Sequence, residues 1–395
     1  MAEQAGNLER CKSEALVIQT IGAGKLDIGS PVSHAMNGCS LLELAALFRA
    51  HGLSAHQARM AFQAIHRYGI LDPEKMPGIS AKCRAFLRTL PPMPRLTLDT
   101  VQRADDGTTK LRLKTPDGHM IESVVIPANR RVTLCVSSQV GCAAGCAFCH
   151  TGTMGLRRNL AAWEIIEQYR VASDVLREGE FTAQSQIENR KSKITNVVFM
   201  GMGEPLHNLA AVVQACRIFN EGCGAGLSRR HIVVSTAGVG NRIRELWEAN
   251  VASLAVSLHA TTDELRAQLV PLGRQWNLGA LRQVLLDIPW RNRESVTIAY
   301  LLLDGLNDMR DDALALVQWL AGLPAKLNLL EFNPYPGCRY RRTSPEKLAA
   351  FRQWLYEFGV FNTLRHSRGG DVLAACGQLA GGRQNAECKI HNSKL

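Results

Sequence analysis

The chain has 395 residues, of which 46% are hydrophobic and 21% charged, with a formal net charge of +11. That is enough apolar material for one large domain and a smaller one, and it excludes a disordered or fibrous chain. Twelve cysteines without regular spacing, and a start (Met1 to Cys11) with acidic residues and no apolar run, argue against a disulfide framework and a membrane protein, so a cytoplasmic location with reduced thiols is expected.

In chain order, a helical period runs from about Ser40 to Leu90. Leu41, Leu42, Leu44, Leu47 and Phe48 define one face, and Ser54 caps a second helix reaching Ile65. The Pro91-Pro92-Met93-Pro94 cluster ends this module. Asp106-Gly107 and Asp117-Gly118 then flank the alternating Lys110 to Lys114, which predicts β-hairpins ending in Glu122 to Ile126. From Thr133 strands alternate with helices. The strand candidates are 133–137, 195–200, 231–236, 253–258, 297–303 and 327–332; the helices between them are 163–176, 209–219, 242–249, 281–287 and 312–320. Six βα units predict an α/β fold in which a parallel sheet curls into a partial (β/α)6 barrel, with functional groups at the carboxyl ends of the strands. The polar stretch from Arg177 to Lys193 reads as a surface loop without chemistry.

The densest signal follows the first of these strands. Cys142, Cys146 and Cys149 form a CxxxCxxC loop with no fourth cysteine close behind. Three thiolates suit an iron-sulfur cluster that leaves one iron free for a small ligand, which points to radical chemistry. A closed zinc site is the alternative, but it needs four ligands, and the adjacent His150 is poorly placed to reach the ion held by Cys149. After the second strand comes Met200-Gly-Met-Gly-Glu-Pro-Leu206, where glycines let backbone approach a ligand and Glu204 can hold an amino group or a ribose hydroxyl. The net positive charge fits an acidic partner, RNA being the commonest.

These motifs, with Thr133 to Cys142, Gly155-Leu-Arg-Arg-Asn-Leu160, Ser257-Leu-His259, Phe332-Asn-Pro334 and Ala374-Ala-Cys-Gly-Gln-Leu379, resemble the RlmN/Cfr family of radical S-adenosylmethionine methyltransferases, which modify adenosine in RNA. The resemblance runs from about Glu122 to Leu379 and implies a radical-SAM barrel. It divides the chain into a helical accessory, RNA-binding domain over 1–95, a β-hairpin linker over 96–130, the barrel with its catalytic loop over 131–380, and a tail over 381–395. It also implies a 4Fe-4S cluster on Cys142, Cys146 and Cys149. S-adenosylmethionine would be held by Gly203, Glu204, Ser235, Ser257, Leu258, His259 and Asn333. Cys376 would carry a methyl group, Cys135 would be its partner thiol and Glu122 the proton acceptor.

The implied reaction follows from the electron-poor ring carbon of adenine, which a sulfonium cannot methylate directly; cofactors carry the radical route instead. One S-adenosylmethionine methylates Cys376. A second yields a 5'-deoxyadenosyl radical that takes hydrogen from that methyl group, and the carbon radical adds to the base. Glu122 then removes a proton and Cys135 attacks the Cys376 sulfur. The expected substrate is adenosine C2 in 23S ribosomal RNA, with tRNA as a further candidate and C8 as the variant, since Gly155 to Leu160 is similar to both branches. A non-catalytic, metal-containing RNA-binding protein is the remaining reading. An electron donor is the other expected partner, the chain acting as a monomer. The basic runs Asn129-Arg-Arg131, Ser228-Arg-Arg230 and Arg339-Tyr-Arg-Arg342 are candidate phosphate contacts. Two departures from the family stand out: His150 where a small residue is usual, and the length of the 177–193 stretch.

Overall fold

The computed structural model describes residues 35–129, 131–182 and 193–381, the side chains of 179–182 excepted. It opens with three helices, α1 (Leu41–Ala50), α2 (Ala55–Tyr68) and α3 (Ala81–Thr89). Each begins at a serine whose hydroxyl accepts a first-turn amide: Ser40, Ser54 and Ser80. At α1 the arrangement is reciprocal, since Glu43 Oε2 accepts the Ser40 amide at 2.8 Å. The helices bury Leu44, Phe48, Phe62, Ile65 and Cys83 against one another and against the rest of the core.

Strands β1 (Thr97–Arg103), β2 (Thr109–Lys114), β3 (Met120–Ala128) and β4 (Arg131–Cys135) form an antiparallel meander, its first two turns made at Asp106-Gly107 and Asp117-Gly118. The meander continues directly into parallel strands β7 (Asn196–Phe199), β8 (Ile232–Thr236), β9 (Ser253–Ser257), β10 (Val296–Leu302), β11 (Ala325–Glu331) and β12 (Asn362–Arg365), giving one ten-stranded sheet. Strands β5 (Gln139–Gly141) and β6 (Leu156–Asn159) make a separate small ribbon. The parallel strands read as short apolar runs because helices cover one face and the barrel interior the other. The covering helices are α5 (Ala162–Thr182), α6 (Leu209–Asn220), α7 (Gly240–Ala249), α8 (Asp263–Leu269), α9 (Leu278–Leu286), α10 (Arg310–Leu320) and α11 (Pro345–Glu357); α4 (His150–Thr153) is a single turn beside the cysteine loop. The α/β fold with a partial barrel is thus the architecture that the strand-helix alternation predicts.

Two details differ from expectation. Helix α5 runs six residues into the stretch expected to be loop, helped by Arg170 and Arg177, which both pair with Asp174; residues 183–192 lie outside the described residues. Helix α11 and strand β12 add a seventh parallel strand. β12 is four residues long and reads Asn-Thr-Leu-Arg, too short and polar to show a period, yet it pairs with β11 from Leu327↔Asn362 to Leu330↔Arg365. No described helix is long and apolar enough to cross a membrane.

Candidate active site

The three motif cysteines lie in the loop between β5 and α4, at the carboxyl-end side of the sheet. The loop is held from three directions. Cys142 N–H donates to Gly155 O at 3.0 Å, Ala147 N–H to Leu269 O at 2.9 Å, and His150 N–H to Gly377 O at 2.7 Å. The sulfurs accept backbone amides, Cys142 from Ala144 at 3.4 Å and Cys149 from Thr151 and Gly152. Burial pushes the Cys142 thiol up to about 12, Cys146 well above its usual range and Cys149 upward. Without a metal these are neutral thiols, and a metal group that takes them as thiolates displaces protons on binding. Among the described residues no three His, Cys, Asp or Glu side chains converge on a point that would hold a single ion. Three cysteine sulfurs are the donor type that an iron-sulfur cluster takes, and one short of the four ligands of a closed zinc site. His150 is no fourth ligand: its ring stacks on Tyr335, 4.7 Å between centroids and 4° between planes.

A cavity of about 180 Å³ opens beside these thiols. Its walls come from the ends of successive strands: Gly203 and Glu204 after β7, Ser235 on β8, Ser257 and His259 at the end of β9, and Cys376 at its mouth. A larger hollow, about 490 Å³ between α2 and α5, contains none of the motif residues, so the chemistry belongs to the smaller one. Glu204 is buried, and both its oxygens hold backbone: Oε1 accepts Leu206 N–H at 3.0 Å and Oε2 accepts Ala237 N–H at 2.7 Å. It thereby ties the loop after β7 to the loop after β8, and burial raises its carboxyl. Gly203, at φ +106°, is required by packing as well as by any ligand: a Cβ there would fall 2.7 Å from Gln139 Cβ. His259 has a left-handed backbone, φ +63°. Its Nδ1 accepts Leu301 N–H at 3.0 Å, and burial lowers the imidazole to about 3. It is a neutral ring with Nε2 as the N–H donor.

Leu258 and Asn333 do not line the cavity. Leu258 is core, its N–H donating to Ala299 O. Asn333 acts one step back, donating from Nδ2 to Cys376 O at 3.3 Å while Oδ1 accepts Arg342 and Ser367. The expected free basic face at Arg339 to Arg342 is accordingly corrected at Arg342, whose guanidinium is spent on Phe332 O and Asn333. Arg130, Cys11 and Cys388 lie outside the described residues, and the ten described cysteines are all free thiols.

Cys376 is exposed, whereas Cys135, at the end of β4, is buried. Burial first, and then the neighbouring Cys376, push the Cys135 thiol up to about 12, while Arg365 acts in the opposite direction. The two thiols thus lie within electrostatic reach of each other although far apart in sequence. Glu122 lies on β3, where Val124 pairs with Cys135. It is no solvated strand residue: it is 3% exposed, and its Oε2 accepts the amides of Ala380 at 2.8 Å and Gly381 at 3.2 Å, at the end of the Cys376 loop.

Sequence reasoning missed Arg266, Arg365 and Gln168. Arg266 on α8 is fully buried and donates to Ala237 O and Trp276 O, bracing loops that wall the cavity. Gln168 joins β3 to the cysteine-loop entry, its Oε1 accepting Ser123 Oγ–H and Ser137 N–H. On helical or short polar segments such residues look like ordinary surface positions, and no local signal singles them out.

A cysteine triad at one end of a partial parallel barrel, with a cavity across the strand ends, defines a radical S-adenosylmethionine protein, and the model of the Radical SAM superfamily matches residues 136–317. The structure is similar to that of a radical SAM methyltransferase from Sphaerobacter thermophilus, with a TM-score of 0.79 and 39% identity over 88% of this chain and 99% of that one. In sequence the chain is 41% identical over 367 residues to the dual-specificity RNA methyltransferase RlmN of Cereibacter sphaeroides, covering 92% of this chain and 93% of that protein. It is 43% identical over 333 residues to RlmN of Paracoccus denitrificans, covering 83% and 85%. The chain belongs to the RlmN family of radical SAM RNA methyltransferases.

Proposed function

We propose that this enzyme methylates C2 of an adenosine in 23S ribosomal RNA and, as the dual specificity of its relatives suggests, in tRNA, using Cys376 as the methyl carrier. The observation that carries this reading is the exposed thiol of Cys376 lining the cavity, with the buried thiol of Cys135 within electrostatic reach of it. Cys142, Cys146 and Cys149 hold a 4Fe-4S cluster, and the cavity walls at Gly203, Glu204, Ser235, Ser257 and His259 hold S-adenosylmethionine. When bound, the two supply the one-electron chemistry that polar methyl transfer to an electron-poor carbon cannot.

This chain's own residues do the rest. Cys376, reachable from solvent, accepts the methyl group and later bonds through it to the base. Glu122 takes the proton from the substituted carbon. The Cys135 thiolate attacks the Cys376 sulfur and the bond from that sulfur to the methylene carbon breaks; the carbon keeps the electron pair and takes a proton to become the methyl group, and the two sulfurs are left as a disulfide to be reduced before the next turnover. His259 stays neutral and offers Nε2–H into the cavity, while Asn333 and Leu258 support the walls from behind. An electron donor for the cluster, a monomeric state and a cytoplasmic location complete the proposal.

Nucleoside mass spectrometry tests it on ribosomal RNA and tRNA from cells that lack such an enzyme and express this chain or Cys376→Ala. A 2-methyladenosine peak that depends on Cys376 is expected. An 8-methyladenosine peak would move the chain to the other branch, and no new methyladenosine from cluster-loaded protein would refute the substrate.

A further inference from the structure

Lys110 is a buried lysine on β2 whose side chain reaches the Cys376 loop. In register it faces Val124, which makes Glu122 its diagonal neighbour across the β2–β3 pair. Its Nζ lies 3.9 Å from Glu122 Oε1, with the two side chains 9% and 4% exposed, and it donates to Leu373 O at 3.4 Å. Glu122, through Oε2, holds the amides of Ala380 and Gly381. One ion pair thus grips both ends of the segment from Leu373 to Gly381 that carries Cys376. Leu373 is also one of the few non-glycine residues with a left-handed backbone, φ +52°. Such a conformation costs about 1–2 kcal/mol and persists only where its surroundings hold it. Other ties on this loop are hydrogen bonds without a cation: Thr151 Oγ–H to Leu379 O at 2.6 Å, Gln378 Nε2–H to Pro334 O at 2.7 Å, Asn333 Nδ2–H to Cys376 O at 3.3 Å and His150 N–H to Gly377 O at 2.7 Å.

We infer that Lys110 is a positioning residue for resolution of the RNA adduct: it fixes the Leu373 end of the Cys376 loop and, as the counter-charge of Glu122, holds that carboxylate in place to take the adduct proton. In that transfer the C–H bond of the substituted carbon breaks, its electron pair stays with the ring and the proton goes to Glu122, while the unpaired electron left by radical addition would pass back to the iron-sulfur group that supplied it. Two tasks then rest on one ammonium group. The hydrogen bond to Leu373 O sets where Cys376 sits, and the charge serves Glu122. The inference rests on the proposed roles of Cys376, Cys135 and Glu122.

The two tasks separate by substitution. Lys110→Gln keeps a donor for Leu373 O and removes the charge; Lys110→Met removes both; Lys110→Arg restores both. With cluster-loaded protein, RNA and S-adenosylmethionine, Lys110→Gln is expected to carry methyl on Cys376 to the wild-type extent, to form product at least about tenfold more slowly, and to accumulate RNA covalently bound to Cys376, as an impaired proton acceptor requires. Lys110→Arg should regain turnover without the adduct. Amide hydrogen exchange of Ala374 to Gly381, read without any turnover, should speed up in Lys110→Met and stay near wild type in Lys110→Gln. If Lys110→Met does not fold, the Gln and Arg variants carry the test. Turnover of Lys110→Gln within twofold of wild type, or a parallel fall in Cys376 methylation, adduct and product, would overturn the inference. Cys135→Ala run alongside distinguishes the failures: no adduct there means the underlying roles are wrong, whereas adduct in Cys135→Ala but not in Lys110→Gln means Lys110 is not the positioning residue.

Discussion

Alkylation with iodoacetamide at pH 8 should separate the thiols of Cys135 and Cys376 by orders of magnitude. Only the thiolate reacts. Cys135 is pushed from 9.0 to about 12, so at pH 8 about one molecule in ten thousand carries it as thiolate, against about one in ten for an ordinary cysteine. Ionisation alone therefore slows Cys135 about a thousandfold, and its 6% exposure slows it further. Cys376 is exposed and open to the reagent. In anaerobic, cluster-loaded protein, timed quenching followed by peptide mass spectrometry should show the unmethylated Cys376 fraction labelled to completion while Cys135 stays unlabelled; in urea both should react. Labelling of Cys135 within tenfold of the Cys376 rate would refute the burial argument.

Cys135→Ala should accumulate RNA bound covalently to Cys376, seen as a protein band that shifts on nuclease treatment, and the double variant with Cys376→Ala should not. His259, held near 3 when folded and near 6.5 when unfolded, binds its proton only in the unfolded chain over that range. Its stability contribution is therefore complete above pH 6.5 and is lost as pH falls toward 3. Going from pH 6.5 to 5.5 should cost about 1 kcal/mol by urea titration, a slope that His259→Gln should flatten. In the β5–β6 ribbon, Gly141 and Gly155 are both left-handed, but an added Cβ at Gly141 would fall 1.9 Å from Gly155 O while Gly155 faces open space. Gly155→Ala should cost about 1 kcal/mol, and Gly141→Ala several times more with loss of cluster loading; equal melting temperatures would contradict this.

Much of the site was legible because its signals are local. Cys142, Cys146 and Cys149 sit within one turn-rich loop, and the strand-end positions of Glu204, Ser235 and His259 follow from the strand-helix alternation once the helices are recognised. At Asn333 the structure adds what no motif shows, a hydrogen bond from its Nδ2 to Cys376 O, because the sequence does not say which distant segment a side chain meets. Strand β12 escaped notice for a related reason: what makes Asn362 to Arg365 a strand is its pairing with β11, not any period of its own.

The sequence by itself determined the cysteine loop, the alternating barrel and the family, since closely spaced cysteines, helix caps and buried parallel strands each leave a pattern within a few residues. Only the tertiary structure decided that Cys135 is buried while Cys376 is exposed, that Glu122 and Lys110 grip the two ends of the Cys376 loop, and that Arg266 braces the cavity from inside the core. Those facts depend on which distant segments meet and on how much water they exclude, and burial, ion pairing and thiol ionisation are properties of that meeting.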